Sequence, residues 1–372
     1  MKAPFPIPYC LNVHPAANWL QVKRALATHA LAVKRIVAPN RPFPLGLHLG
    51  YRTALELSQP RRRDAFREWL RDHDCFIAGV NAFPFGAFHA AAVKANVYRP
   101  DWRSADRLAY TLLVARLLAD LLPAGAAATL TTVPGGWLPD WSRAADASRA
   151  LENLRRAATG CRAIFETTGR RIGIAVEPEP GCAWKLGDPQ VEAAGPEVGW
   201  CGDACHAAVD FQSLVNLDWR RIVRVQLSAA LECDNAPAAR AALAAFVEPR
   251  YLHQARAYLD GEIVAAWPDL APALRALPRL PRRAVVRTHY HVPLTWAGTG
   301  PLRSTRDQMT PAFFRRARRV PCEVETYTLA IVPRALRPRT LARAIAGELE
   351  WAAARYGFSS STKRKTVSPG LA

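Results

Sequence analysis

Short apolar segments typical of β-strands alternate with helical segments along almost the whole of this 372-residue sequence. Regular alternation of this kind predicts an α/β fold with a parallel sheet, and eight or nine units favour a closed (β/α)8 TIM barrel over an open sheet. Nine strands are one more than a barrel needs, so we expect either the seventh or the eighth segment to belong to an excursion of the chain, that is, a segment inserted outside the barrel. The predicted strands lie at 9–15, 44–51, 76–84, 128–136, 172–176, 197–206, 221–231, 284–294 and 320–328, and the clearest helices at 19–37, 53–72, 108–122, 144–168 and 338–356.

The late part of the chain departs from this regularity. Residues 236–277 are rich in alanine and predict a helical elaboration of the barrel. We expect residues 1–358 to form a single TIM-barrel domain. Residues 359–372, SSSTKRKTVSPGLA, have the composition of a disordered tail.

Several common classes of protein lose support from missing motifs. No GxGxxG follows the first strand and no GxxxxGK[ST] occurs, which disfavours dinucleotide-binding and P-loop functions. The eight cysteines form no CxxC pair and are expected to be reduced thiols. No apolar run reaches the ~18 residues of a membrane helix. The start, MKAPFPIPYC, lacks the apolar region of a signal peptide, so we expect a cytoplasmic protein.

The formal charge of +19 raises the question of a polyanionic partner. Arginines are concentrated at 61–63 and 315–319, and the tail adds KRK at 363–365. These runs lie in predicted helices or in the tail, and no aromatic residues are interleaved with them to stack on bases. We therefore expect solvated helix faces and no specific nucleic-acid partner, although contact with an anionic membrane surface stays open.

The stretch IGIAVEPEPG at 172–181 is an apolar strand that ends abruptly in acid. Its bulky residues alternate with Gly173 and Ala175, which would point into the barrel and be followed there by Glu177. A buried carboxylate loses hydration unless a cation or hydrogen-bond donors replace the water. Side chains at the ends of barrel strands meet at one mouth. The other polar residues at or just after predicted strand ends are Asn12, His14, His48, Asn81, His89, Glu179, Asp203, His206, Gln226, His289, His291 and Glu325.

Carboxylates and imidazoles in one cavity suit a divalent ion such as Mn²⁺, Mg²⁺, Co²⁺ or Zn²⁺. Such an ion polarises a carbonyl or holds an enediolate, and a remaining Glu or His moves the proton. Some of these side chains have simpler interpretations. We expect His48 to be a core or pocket-wall histidine and Glu179 to cap a loop. Glu323 lies deeper than Glu325 on the same strand face and is expected to support the site or to be paired internally.

Three segments resemble the xylose-isomerase-like TIM barrels, a superfamily of sugar isomerases, epimerases and endonuclease-IV-like enzymes. They are IAVEP at 174–178, CGDACH at 201–206 and VETY at 324–327. The resemblance implies metal ligands at Glu177, Asp203 and Glu325, with His206 three residues after the aspartate. The superfamily also takes a histidine from its seventh strand, where this chain offers Gln226. Either that amide or the later His289 and His291 would complete the metal site.

A closer resemblance, to the EboE family of metabolite traffic proteins, extends over nearly the whole chain. It implies a bacterial protein from a gene cluster linked to export of a biosynthetic precursor, with other proteins of that cluster as partners. The segments that carry it are YCLNVHP, NAFPFGAFH, VKANVYRPDW, VPGGW, EPEPGC, CGDACH, VQLSAAL, EPRYLHQ, HYHVPL, STRD and VETYT.

Three functions follow from these observations. The first is a metal-dependent isomerase or epimerase of a small molecule, in which Glu177 and His206 are the catalytic residues. The second is a carrier that keeps the pocket without turnover, and the third, least supported, is an endonuclease-IV-like nuclease. The expected substrate-binding residues are His14, Asn81, His89, Gln226 and Trp184, and the tryptophans at 137, 200 and 296 are further candidates for the pocket wall.

Overall fold

The computed structural model describes residues 2–89 and 92–358. Eight parallel strands of this part of the chain close into a barrel, in which the first strand pairs with both the second and the last. The predicted TIM-barrel fold is therefore confirmed. The barrel strands are β1 (Tyr9–Cys10), β2 (Phe43–His48), β3 (Cys75–Asn81), β4 (Ala127–Thr132), β5 (Arg171–Val176), β6 (Val198–Asp203), β7 (Ile222–Leu227) and, after an insertion, β14 (Cys322–Val324).

Helices connect the barrel strands and bury their apolar faces against them. Local signals fix several of their ends: the Asn18 side chain caps the first helix, and Gly169, with φ of 67°, ends the long helix before β5. The helices of the described chain are α1 (Trp19–Ala25), α2 (Leu31–Val37), α3 (Tyr51–Leu57), α4 (Pro60–Asp72), α5 (Ala105–Leu121), α6 (Ala144–Thr168), α7 (Pro189–Glu192), α8 (Ala204–Val209), α9 (Pro237–Ala244), α10 (Leu270–Ala276), α11 (Pro311–Ala317) and α12 (Leu341–Arg355).

An antiparallel sheet is inserted between β7 and β14. Its strands are β8 (Leu231–Asp234), β9 (Ala255–Leu259), β10 (Glu262–Trp267), β11 (Val285–Thr288), β12 (Gly298–Thr299) and β13 (Leu302–Ser304). The expectation of a helical elaboration at 236–277 was therefore wrong in part, since α9 and α10 flank the hairpin of β9 and β10. Alanine favours helix locally, but pairing with β11 overrides that preference for this hairpin. The segment 284–294 supplies β11, so the surplus ninth strand belongs to this excursion.

A buried ion pair fills part of the barrel interior below the mouth. Arg224 Nη2 on β7 lies 2.5 Å from Glu323 Oε1 on β14, and both side chains are almost fully buried. Gly46 and Gly79 make room for the pair, because a Cβ at either position would overlap the Glu323 carboxylate or the Arg224 guanidinium. The interpretation of Glu323 as an internally paired acid agrees with this geometry. The pair therefore leaves no room for a ligand in this part of the barrel interior.

Two further sequence expectations concern the chain as a whole. All eight cysteines are buried and free, as expected for reduced thiols. Within the described residues, no helix combines the length and apolar character needed to cross a membrane. The predicted disordered tail, residues 359–372, lies outside the described part of the chain.

Candidate metal centre

Three carboxylates meet at the C-terminal mouth of the barrel. Glu177 follows β5, Asp203 ends β6 and Glu325 follows β14, and one oxygen of each lies within 4.8 Å of the others. Gly173 pairs with Thr129, whose hydroxyl oxygen accepts a hydrogen bond from Arg224 inside the barrel. Gly173 therefore faces inward, as the sequence pattern requires if Glu177 is to follow it into the mouth.

These carboxylates are poorly compensated by the protein itself. One Glu325 oxygen accepts a hydrogen bond from Asn12 Nδ2 at 2.5 Å, but Oε2 of Glu177 and Oε2 of Glu325 are buried without a partner. Burial, and then repulsion from the other carboxylates, raises the pKa of Glu177 and of Glu325 well above the ordinary value. Orphaned carboxylate oxygens that converge in this way fit a cation.

Asp203 is better supported than its two neighbours. Its oxygens accept hydrogen bonds from the Ser228 hydroxyl at 2.9 and 3.0 Å and from the His206 backbone N–H at 2.7 Å. Burial raises the pKa of Asp203, but the nearby imidazoles of His206 and His291 and the backbone N–H outweigh that effect and lower it overall. Asp203 is therefore the carboxylate of this group that is most readily ionised.

Three imidazoles converge beside Asp203. The Nε2 atoms of His206 and His289 are 3.0 Å apart, those of His289 and His291 are 3.1 Å apart, and those of His291 and His206 are 3.4 Å apart. His206 lies in the first turn of α8, directly after β6, whereas His289 and His291 follow β11 of the insertion. We call these three side chains the imidazole triangle.

The remaining ring nitrogens determine the protonation of the triangle. His206 Nδ1 lies 3.0 Å from the Pro178 carbonyl oxygen, and His291 Nδ1 lies 2.8 Å from the Glu325 carbonyl oxygen. A carbonyl oxygen only accepts, so both Nδ1 atoms carry the proton.

His289 reaches the same state through Gln254. The Gln254 amide nitrogen donates to the Tyr98 hydroxyl at 2.9 Å and to the Pro180 carbonyl at 3.0 Å, which orients its oxygen toward His289 Nδ1 at 2.7 Å. Burial lowers the pKa of all three histidines, most strongly that of His289. The neutral imidazoles therefore direct three Nε2 lone pairs at one another.

Lone pairs at this separation repel unless a cation lies between them. Zinc–nitrogen bonds of 2.0–2.1 Å in tetrahedral geometry place ligand nitrogens about 3.3–3.4 Å apart, close to the three observed distances. Each Nδ1 is held by an oxygen acceptor, the usual arrangement around histidine ligands of a metal. The donor set fits a divalent cation, with Asp203 within 4.8 Å of the ligand atoms of His206 and His291.

A small cavity lies over these groups. Its volume is about 50 Å³, enough for several waters. Its polar floor includes Glu177, Glu179 and the imidazole triangle. The rest of its lining is formed by Asn12, His48, Asn81, Phe83, Pro84, Phe88, Val93, Lys94, Val97, Tyr98, Tyr251, Leu252, Glu325 and Tyr327.

Not all of the predicted substrate-binding residues reach this cavity. Asn81 lines it, and Gln226 is buried in the barrel interior with both amide atoms unpartnered. His14 does not line the cavity; it stacks on His29, with ring centroids 4.4 Å apart, and bonds to the Tyr9 hydroxyl.

His89 and Trp184, also predicted as substrate contacts, do not line this cavity either. His89 lies behind the wall, between the Asn12 carbonyl and the Tyr251 hydroxyl, each at 2.7 Å. Trp184 packs beside Trp102 and lines a neighbouring pocket that Asp203 and His206 also border. Composition places a tryptophan near a strand end, but packing against the connecting loops determines which side it faces.

Sequence reasoning gave no site role to Glu179 or Gln254, yet both contact the imidazole triangle. Glu179, expected to cap a loop, places Oε1 3.1 Å from His289 Nδ1. Gln254 lies in a segment that the alanine content predicted as helix. The only sequence signal for Glu179 was its spacing of two from Glu177, and no local pattern indicated Gln254.

Comparisons with known proteins give only distant likenesses to solved structures. A scan against models of protein families and a search of curated proteins both find no match. The barrel is similar to three solved structures at TM-scores of 0.46, 0.41 and 0.45 and identities of 14%, 9% and 10%.

The first of the three is a crystal structure of IolI protein with a bound zinc atom; the alignment covers 97% of this chain and 100% of that one. The second is the probable 3-DHS dehydratase AsbF, involved in petrobactin synthesis, from Bacillus anthracis, with coverage of 92% and 97%. The third is the 3-keto-D-glucoside 4-epimerase YcjR from E. coli, in its apo form, with coverage of 94% and 99%. These likenesses concern the fold, which the strand pairing of this chain already establishes.

Proposed function

We propose that this protein is a metal-dependent isomerase or epimerase that acts on a small hydroxycarbonyl metabolite. The observation that carries the proposal is the convergence of three unprotonated imidazole nitrogens beside three buried carboxylates, in a cavity at the barrel mouth. Asp203 and the imidazole triangle would hold the cation. His206 is thus proposed as a metal ligand, whereas the sequence suggested that it transfers a proton. The reason is that its Nδ1 contacts the Pro178 carbonyl oxygen and its Nε2 belongs to the imidazole triangle.

The chemistry divides between the cation and the carboxylates. A bound divalent cation supplies a Lewis acid that polarises a carbonyl group. Glu177 has a partnerless buried oxygen and a raised pKa, which suit a group that takes a proton from carbon and returns it. Return to the neighbouring carbon gives an isomer, and return to the opposite face of the same carbon gives an epimer. Glu325 is the second carboxylate available for either role.

The cavity also bears on the alternatives. A volume of about 50 Å³ is far smaller than a nucleotide, so a nuclease would require a much wider opening of this site than a small metabolite does, which ranks the nuclease last. If the protein is instead a carrier, it would bind a ligand without converting it, and its charge of +19 would favour contact with an anionic membrane face or an acidic partner. The segments that resemble the EboE family support a cytoplasmic role in a biosynthesis or export pathway.

Deuterium exchange tests turnover without knowledge of the product. The protein is stripped with chelator, loaded separately with Zn²⁺ and Mn²⁺, analysed for metal stoichiometry, and incubated in D₂O with a set of hydroxyketones followed by NMR. We expect one or more metal equivalents and exchange of a C–H next to the carbonyl, with Glu177→Gln at least 100-fold slower. Metal binding with no exchange in any hydroxyketone would favour the carrier. Absence of stoichiometric metal would overturn both the metal-dependent enzyme and a carrier that uses this metal site.

A further inference from the structure

Three aromatic rings line the cavity beside the imidazole triangle, and the hydroxyl of one of them, Tyr327, lies 3.5 Å from His289 Nε2. The centroids of Phe88, Tyr251 and Tyr327 are each 5.0 Å from the other two. Tyr327 also lies over His291, with ring centroids 4.7 Å apart. We call these three side chains the aromatic roof. The Tyr251 hydroxyl is bonded to His89 behind the wall, so Tyr251 presents ring carbon to the cavity.

No Lys or Arg side chain in the described lining of the cavity is free to bind a ligand. Lys94 is the only Lys or Arg among the described residues that line the cavity. Its ammonium lies 3.0 Å from the Glu248 carbonyl, 2.7 Å from the Tyr251 carbonyl and 2.6 Å from Asp269 Oδ2. These contacts use all three of its N–H donors. Recognition of a phosphate or carboxylate group ordinarily needs such a donor free.

The charge around the cavity also opposes an anionic ligand. Glu177, Glu179 and Glu325 line it, and Asp203 adjoins them. These side chains surround the cavity with carboxyl groups and bring no cationic group to it. An added phosphate would find no free Lys or Arg side chain in the described lining to offset its own charge.

From these observations we propose that the substrate is an uncharged, unphosphorylated hydroxycarbonyl compound with one apolar face. Its oxygens face the cation and the carboxylates, and its apolar face lies against the aromatic roof. The inference rests on the proposed function and adds the substrate class. The volume of the cavity, about 50 Å³, is below the roughly 150 Å³ that holds benzene in a dry protein cavity. We therefore expect a compact ligand, and we expect the aromatic roof to move when the ligand binds.

The test uses the full-length protein loaded with Co²⁺, whose visible absorption reports both metal binding and ligand approach. Three probes are titrated: 2-hydroxycyclohexanone, which has an apolar face; dihydroxyacetone, which lacks one; and dihydroxyacetone phosphate, which is charged. We expect 2-hydroxycyclohexanone to bind at least tenfold more tightly than the other two. Equal or tighter binding of the phosphate would overturn the proposal.

Variants of the same loop separate the roof from general effects on folding. Phe88→Ala should weaken 2-hydroxycyclohexanone binding about tenfold with unchanged Co²⁺ stoichiometry. Phe85→Ala is the matched control, because Phe85 stacks on Tyr51 at 4.9 Å, away from the cavity. Equal effects of the two substitutions would refute the role of the roof. Failure of the protein to bind Co²⁺ at all would instead refute the proposed function on which this inference rests.

Discussion

Gln254 offers the sharpest test of the imidazole triangle, because it sets the proton position on His289 without contacting the proposed cation. Replacing it with leucine removes the acceptor at 2.7 Å from His289 Nδ1. Without that acceptor, the His289 proton is free to occupy Nε2 and block the lone pair. Loss of such a supporting partner typically weakens metal binding about 10- to 100-fold.

The structure places this effect at the lower end of the range. Glu179 Oε1 also lies 3.1 Å from His289 Nδ1 and can accept the proton in place of Gln254. We therefore expect Gln254→Leu to raise the dissociation constant for Zn²⁺ about tenfold, or ~1.4 kcal/mol. The double variant Gln254→Leu/Glu179→Leu should lie closer to 100-fold. Competition with a chromophoric chelator at fixed pH measures both values.

Tyr98→Phe controls for general disturbance of this network. It removes one acceptor of the Gln254 amide nitrogen but leaves the Pro180 carbonyl to orient the amide. We expect a loss of stability of about 1 kcal/mol in urea denaturation and unchanged Zn²⁺ affinity. If Tyr98→Phe weakened metal binding as much as Gln254→Leu, or if Gln254→Leu bound like wild type, the proton argument would be refuted.

Three further predictions concern buried charge. Arg224→Met leaves Glu323 buried without its partner and should cost about 3–5 kcal/mol in urea denaturation, whereas adding Glu323→Gln should recover most of the loss; an equally unstable double variant would contradict this. Burial raises the pKa of Glu348 to about 7, so between about pH 4.5 and 7 its carboxyl stays protonated in the folded protein but is ionised in the unfolded chain. The contribution of Glu348 to the free energy of unfolding should therefore fall by about 3 kcal/mol over this pH range. The difference in unfolding free energy between wild type and Glu348→Gln measures this slope, and a difference independent of pH would disprove it. Because burial and mutual repulsion raise the pKa values of Glu177 and Glu325, Zn²⁺ binding near pH 6 should release protons, seen as a binding enthalpy that depends on the ionisation enthalpy of the buffer; an enthalpy equal in all buffers would argue against it.

The sequence was informative wherever a local pattern reports burial. Alternation of strand and helix predicted the barrel, and helix α6 was predicted with the bounds that the structure shows. The small residues before Glu177 predicted its inward direction. These features depend on side-chain periodicity within a single element, which the sequence displays directly.

The insertion was harder to predict because its strands pair with distant partners. β9 is antiparallel to both β10 and β11, and its alanines locally favour helix. Pairing of this kind depends on tertiary contacts and leaves only a weak mark on local composition.

The sequence by itself determined a barrel with a ring of acids and histidines at the ends of its strands. Only the tertiary structure decided that His289 and His291 leave the insertion to meet His206, and that His14, His89 and Trp184 do not face the cavity. It also decided the proton positions, because the acceptors for the three Nδ1 atoms come from Pro178, Gln254 and Glu325, far apart along the chain. Periodicity specifies which face of an element is buried, but the direction of a lone pair depends on hydrogen bonds that exist only once the chain has folded.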